Sequence, residues 1–401
     1  MKVKFQRKIE VTWIKRNLKW ILKWILKLTS PVIRPQILFD SFNGKQYSDN
    51  PRAISEMMHQ MYPEYKIVWY LNDDASLDLV PDYVKRVSSR MGFYRQLFSS
   101  FCYVTNCEFY DLGSLKKKKQ LYIQTWHGDR GFKKVLYEAA PDLCKMVRVC
   151  DSEVVDIALS GSDFGSNQYR LAFNYSGKIQ KIGCPRNERM LGMGLEERKE
   201  IRRRLGISDD SKVLLYAPTF RDDSPTTQRV NIDIGRTKRI LADKYGGEWI
   251  AIVRAHVGTR LIEGTDTNGC INATDYPDAT DILSITDFLI SDYSSIVCDF
   301  CLTGKPTVLA IFDLADYEMR CREFKVNPTE TGLLCVNNQK ELEDLICNLD
   351  DRTVREAYER MNRFFGTSET GMATRRICKE IDSYYRTQYR HSHVNKISCI
   401  N

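Results

Sequence analysis

The chain is 401 residues long, 43% hydrophobic and 28% charged, enough for a sizeable core and for two domains of roughly 150–200 residues each. Its net charge of +8 sits in residues 1–30, which hold nine basic residues and one acid, while the remainder carries 51 of each sign; that excludes a general nucleic-acid binder, whose basic surface lies on the folded domain. Thirteen cysteines are scattered, several inside apolar runs, with no zinc-type spacing read among them, which points to buried thiols in a reducing, cytosolic compartment.

Residues 11–28 read VTWIKRNLKWILKWILKL. At about 100° per residue, Ile14, Leu18, Ile21, Leu22, Ile25 and Leu28 share one face. Lys15, Arg16, Lys19, Lys23 and Lys27 share the other, and Trp13, Trp20 and Trp24 line a border between them. Lysines recur too often for a spanning helix, and no small-residue cleavage site follows. An apolar face, a basic face and border tryptophans suit an interfacial helix on an anionic bilayer. A helix packed on its own domain or on a partner has the same pattern. Ser30-Pro31 and Pro35 stop it.

From Gln36 onward, short apolar runs alternate with helical spacing. Ile37–Phe39, Ile67–Leu71, Tyr103–Thr105, Tyr122–Thr125 and Ile157–Ser160 read as strands; Asn50–Tyr62 and Gly165–Asn174 read as helices. After a polar connection containing Gly183-Cys184-Pro185-Arg186-Asn187 and a charged helix at Glu196–Leu205, the rhythm restarts at Val213–Tyr216, Trp249–Arg254, Phe288–Ile290 and Thr307–Phe312. This predicts an α/β protein of two Rossmann-like domains, over residues 31–190 and 191–375, the GT-B layout, with 1–30 as an amphipathic helix and 376–401 as a polar tail.

The stretch Thr286–Phe300, TDFLISDYSSIVCDF, predicts a strand, a turn through Ser291-Asp292-Tyr293-Ser294-Ser295, and a helix ended by Gly304-Lys305-Pro306. A helix N-terminus beside two small hydroxyls can cradle a phosphate. Asp299, one turn inside, can hold a ribose hydroxyl. Capping serines in an ordinary βα turn look the same. His127 and His256 each follow a predicted strand directly, one per domain, where α/β sheets place their sites. Imidazole there can accept a proton or steady an oxyanion, or merely cap and pack. Tyr216-Ala-Pro-Thr219-Phe-Arg221 leaves a strand through a proline turn. Arg221 and Arg254 can neutralise a pyrophosphate. Ser41-Phe-Asn43-Gly44 leaves the first strand before a proline-started helix.

Taken in order, FDSFNGKQYSDNPRAI, QTWHG, GCPRNERML, LLYAPTFRDD, IVRAHVG, DATDIL and ISDYSSIVCDF with GKPTVL resemble the CDP-glycerol glycerophosphotransferase family, over about residues 37–340. The resemblance implies a GT-B enzyme of teichoic acid or capsule polymer synthesis at the cytoplasmic membrane face. It implies that His127 and His256 are the family's two functional histidines and that the DYSS turn holds the donor phosphates. One departure stands out. Family members often continue the histidine motif as His-Gly-Thr-Pro-Leu-Lys, whereas this chain has His127-Gly128-Asp129-Arg130-Gly131-Phe132-Lys133-Lys134. Asp129 and Arg130, with Asn43 and Gly44, are therefore expected on the acceptor side.

The reaction so implied is transfer of glycerol phosphate, or ribitol phosphate, from its CDP ester to an undecaprenyl-type lipid-linked acceptor, with release of CMP. His127 is the expected base; His256, Arg254, Thr219, Arg221 and the turn hold the donor. No tightly bound metal is expected, with free magnesium able to associate with the donor. A nucleotide-sugar glycosyltransferase or sugar-nucleotide epimerase is the nearer rival and a non-catalytic membrane scaffold the farther one.

Overall fold

The computed structural model describes residues 20–107, 116–147, 151–219, 227–228, 232–255, 260–261, 269–320 and 323–390. Seven strands form the first sheet: β1 (Ile33–Asp40), β2 (Lys66–Tyr70), β3 (Lys85–Val87), β4 (Ser100–Thr105), β5 (Leu121–Gln124), β6 (Ile157–Ser160) and β7 (Lys178–Lys181). All pair in parallel, in the order β3-β2-β1-β4-β5-β6-β7. Parallel strands are covered by helices on both faces and so read as unbroken apolar runs. β4, β5 and β6 are buried at every position.

The second sheet repeats the plan. Its strands are β8 (Lys212–Ala217), β10 (Trp249–Val253), β12 (Ile271–Asn272), β13 (Phe288–Ser291), β14 (Thr307–Ala310) and β15 (Leu334–Val336), while β9 (Thr227–Gln228) pairs separately with β11 (Arg260–Leu261). The order β12-β10-β8-β13-β14-β15 is again parallel throughout. In both sheets the chain builds outward from a central strand, then crosses back to continue on its other side. Each sheet thus has a point where the strand order reverses, β1 against β4 and β8 against β13, and open α/β sheets bind ligands in the crevice there.

The last helix corrects one expectation. Residues 376–390 do not form a polar tail: the helix Ala373–Tyr385 buries Ile377, Cys378 and Ile381 completely. It packs against the helix Asp49–Met61, so the chain's end completes the first domain's core beside Ile37, Ile54 and Trp69. Tyr389 is also buried there; residues 391–401 lie outside the described ones.

Two buried ion-pair clusters join the domains. Arg52 of the first domain meets Asp278 and Asp281 of the second at 3.0 Å each. Arg189, on the helix Pro185–Gly192, meets Asp281 at 2.6 Å. The second cluster centres on Asp299 and is described with the site. Backbone bonds add to both: Lys133 pairs with Phe324 and Ser162 with Thr367 as antiparallel bridges.

Residues 20–29 are helical. Trp24 and Leu26 pack on the first domain, and the Lys23 ammonium lies over the Tyr94 ring at 4.6 Å. Trp20 and Trp24 meet edge to face at 5.6 Å, and Lys27 lies over Trp24 at 4.5 Å. Ile21, Leu22, Ile25 and Leu28 face away and stay exposed. Trp13, Lys15 and Lys19 lie outside the described residues. Among those described, no helix is long and apolar enough to cross a membrane.

Candidate active site

A cleft of about 580 Å³ opens where the carboxyl ends of both sheets meet, a size that suits a small-molecule ligand. Its first-domain wall comes from the ends of β1 (Phe42, Asn43, Lys45), β4 (Cys107) and β5 (Trp126, His127, Gly128). Its second-domain wall comes from the ends of β8 (Ala217, Pro218, Thr219), β10 (Arg254, Ala255) and β13 (Tyr293, Ser294, Ser295).

His127 stands three residues past β5. Its Nδ1 lies 2.8 Å from the backbone carbonyl of Asn106. A carbonyl only accepts, so Nδ1 carries a proton, and in the neutral form of the ring the lone pair is on Nε2. The ring is held between Trp126 at 4.2 Å and Phe42 at 5.1 Å. A base needs this kind of fixed tautomer and fixed plane.

Asn106 belongs to none of the sequence motifs. It is fully buried, its Oδ1 accepts from the Phe42 amide at 2.9 Å, and its Nδ2 donates to Ser41 Oγ at 3.0 Å. One residue therefore fixes the histidine through its carbonyl and the β1 loop through its amide. That loop is strained: Phe42, Asn43 and Gly44 have φ of 49°, 57° and 80°. Four of the six non-glycine residues with positive φ among the described residues (Phe42, Asn43, Asp49 and Trp126) line this cleft. Strain of this kind concentrates at functional sites. Gly44 itself does not line the cleft, contrary to expectation. A Cβ there would stand 2.5 Å from the Tyr70 ring, and its N–H donates to Asp40 at 2.6 Å.

On the second domain, register pairs Ser291 with Ala217, and the buried Ser291 hydroxyl donates to the Ala217 carbonyl. Asp292 accepts from the amides of Thr219 at 2.7 Å and Tyr293 at 2.6 Å. These two residues shape the turn from behind it. The Tyr293 hydroxyl donates to Asp313, which leaves Ser294 and Ser295 at the cleft's edge. Ser295 caps the short helix Ile296–Cys301 without a side-chain bond. The helix's first amides are already engaged, contrary to the expected open cradle: Ile296 donates to Ser294 Oγ at 3.4 Å, Val297 to the Ser294 carbonyl at 3.4 Å and Cys298 to the Ser295 carbonyl at 3.0 Å. Arg254 lines the cleft but spends one nitrogen on the Ala273 and Tyr276 carbonyls, at 2.8 and 2.7 Å, and burial pulls its pKa down. His256 and Arg221 lie outside the described residues.

Three expected roles change. Asp129 and Arg130 do not face an acceptor: they are 5% and 1% exposed. Asp129 accepts from Ser160 Oγ, the Gly161 amide and Ser162 Oγ at 3.0, 2.9 and 2.7 Å, filling the space that Gly165 leaves by lacking a side chain. Arg130 Nη2 reaches Asp299 and Glu369, each at 3.0 Å. Asp299, read as a ribose ligand, has both oxygens engaged. Arg186 Nη2 meets one at 2.9 Å, and Asn187 joins Arg130 on the other at 3.1 Å. Burial opposes the charge on Arg130, but Glu369 and Asp299 outweigh it and hold the pKa above its ordinary range. Burial raises the pKa of Glu369, against the pull of Arg130.

Cys298-Asp-Phe-Cys301 is a C-x-x-C spacing that the sequence reading missed. Both thiols are buried in the 296–301 helix, and burial pushes Cys301 up to about 12, so neither is a ready thiolate. Among the described residues, no group of three His, Cys, Asp or Glu side chains is placed to hold a metal ion.

Comparison with known proteins gives this geometry a context. A teichoic acid poly(glycerol phosphate) polymerase from Staphylococcus epidermidis is 30% identical over 74% of this chain and 43% of its own length. The chain thus spans about two fifths of that polymerase. A teichoic acid glycerol-phosphate transferase from Staphylococcus aureus is 29% identical over 92% of this chain and 98% of its own length. The wall teichoic acid polymerase TagF, solved as a histidine-to-asparagine variant with CDPG, superposes with a TM-score of 0.77 at 26% identity, covering 94% of this chain and 99% of that one. Residues 23–383, which hold both sheets and the closing helix, match the family described as CDP-Glycerol:Poly(glycerophosphate) glycerophosphotransferase, and the chain belongs to that family.

Proposed function

We propose that this protein transfers glycerol phosphate from CDP-glycerol to a lipid-linked acceptor in teichoic acid or capsular polymer synthesis, working at the cytoplasmic face of the membrane. The observation that carries the reading is the cleft itself. It sets a tautomer-fixed histidine at the end of one sheet across from a serine turn and helix start at the end of the other. Family membership supplies the donor class.

In the proposed step an acceptor hydroxyl oxygen attacks the outer phosphorus of CDP-glycerol in line. The new P–O bond forms as the bridging P–O bond breaks, and CMP leaves with the electron pair. His127 Nε2 takes the hydroxyl proton. Ser294 and Ser295 hold the diphosphate with Arg254, which lines the same wall of the cleft, and His256 serves the donor as the family resemblance implies. Such chemistry rests on positioning and on oxygen-charge stabilisation.

The test is incubation with CDP-glycerol and with CDP-ribitol separately, on a lipid-linked acceptor, scoring CMP release and product length. CMP release from CDP-glycerol is expected, and His127→Ala should lower turnover by about 10²–10⁴-fold while CDP still binds. Faster turnover of CDP-ribitol would reassign the polyol. Release of UDP from a UDP-sugar, with no CMP from either donor, would replace the reading with that of a sugar-nucleotide enzyme.

A further inference from the structure

His127 and the 293–295 turn stand on different sheets, so their separation depends on how the two domains are registered. The loop that carries His127 continues directly into the second domain. Arg130, three residues on, is 1% exposed and reaches Asp299 at 3.0 Å, on the helix that follows the turn. Phe132 is fully buried within the second domain's core, beside Val213, Leu289 and Val297. Its carbonyl accepts from the Lys325 amide at 2.7 Å. Residues 127–134 are therefore a strap whose first-domain end carries His127 and whose far end bridges through Lys133 to Phe324, whose ring lies 5.3 Å from that of Tyr293 in the donor turn. The domains are also joined by Arg52 and Arg189 on Asp278 and Asp281, and by Arg186 and Asn187 on Asp299 itself. Arg130 is distinguished by sharing a loop with the histidine and by meeting the helix of the turn.

From this geometry we infer that Arg130 is a positioning residue for the transfer reaction, setting the reach from His127 to the donor phosphorus through its pair with Asp299. The inference rests on the proposed role of His127. It predicts that loosening the strap slows the transfer step and leaves donor binding alone, because the turn's own bonds to Asp292 and Asp313 are untouched.

The test is steady-state kinetics of the full chain with CDP-glycerol and a short soluble glycerol-phosphate primer. Arg130→Met with Glu369→Gln removes the charge and one of its carboxylate partners together, which limits the cost of leaving a buried carboxylate unpaired. Arg130→Lys keeps the charge and loses the planar fork. The double variant should lose about a hundredfold in kcat, as a displacement of about 1 Å does, with KM for CDP-glycerol within about twofold. Arg130→Lys should recover roughly tenfold of that loss. In a His127→Ala background the same double substitution should cost less than about twofold, since residues acting through one another are not additive. An equal loss in both backgrounds, or a rise in KM without a fall in kcat, overturns the positioning role while leaving His127 as base. Near-normal turnover of His127→Ala alone overturns both readings. If the double variant does not fold, Arg130→Lys in the two backgrounds gives the same discrimination.

Discussion

Asp40 shows how a single buried carboxyl sets the stage for the histidine. It ends β1 at 2% exposure, accepts from the Gly44 amide at 2.6 Å and from the Tyr103 hydroxyl at 3.2 Å. Through Gly44 it holds the strained loop whose Phe42 ring packs on His127. Burial raises its pKa from 3.8 to about 6, against the Gly44 amide, the Tyr103 hydroxyl and the charge of Arg90. The folded state therefore holds this proton more tightly than the unfolded chain does. Its stabilising effect is complete below pH 4 and is lost as pH rises through 6. A shift of this size corresponds to roughly 3 kcal/mol. The stability of the wild type relative to Asp40→Asn should decline by about that much between pH 4 and pH 7, then stay level. Urea unfolding of both proteins at several pH values measures it, and a flat difference would show that Asp40 does not titrate in this window.

At the scale of elements, the helix Ala279–Ile285 is a lock. Asp281 is 1% exposed and takes Arg52 at 3.0 Å, Arg189 at 2.6 Å and the Tyr276 hydroxyl at 3.3 Å. Asp281→Ala leaves two buried guanidinium groups short of a partner. Removing one member of such a pair costs about 3–5 kcal/mol, so calorimetry should show a melting temperature lower by roughly 4–6 °C; a change of less than about one degree would mean that water replaces the carboxylate. The role of this helix was not legible in the sequence, although DATDIL stood out as a motif. The partner Arg52 is 229 residues away, and only the fold brings them together. The same holds for Arg130, whose partners Asp299 and Glu369 lie 169 and 239 residues on. A charged pair in a loop looks like a ligand contact until the domain across from it is known. The strands were legible because a parallel sheet writes itself as apolar runs, from Ile37–Phe39 to Thr307–Ala310. Short edge strands such as Lys85–Val87 and Lys178–Lys181 carry no such run. The closing helix was missed because Ile377, Cys378 and Ile381 form a narrow stripe among Arg375, Arg376, Lys379 and Glu380.

For the molecule as a whole, the helix at 20–29 is the surface feature that matters most, because its outer face is apolar. We propose that its outer face lies on an anionic bilayer. Ile21, Ile25 and Leu28 are 50%, 49% and 77% exposed, so the apolar stripe read from the sequence points away from the body. Trp24 and Leu26 hold the helix to the first domain instead. Deleting the helix would remove those inner contacts too and confuse docking with folding. Replacing Ile21, Ile25 and Leu28 by Gln leaves Trp24 and Leu26 in place, and takes away only outward apolar surface. Fully burying each such side chain in the interface is worth about 1.5–3 kcal/mol, whereas each nearby lysine adds about 1 kcal/mol that fades with salt. The triple variant should melt within a few degrees of the wild type and bind CDP equally. It should lose co-sedimentation with phosphatidylglycerol-containing vesicles at high salt, where the wild type is still retained. At low salt, part of the binding should persist through the cations. Turnover should fall on a vesicle-bound acceptor and stay near normal on a short soluble primer. Equal vesicle binding by the two proteins at high salt would place the membrane contact elsewhere. A large drop in melting temperature would mean that these three residues pack against the protein and do not face lipid.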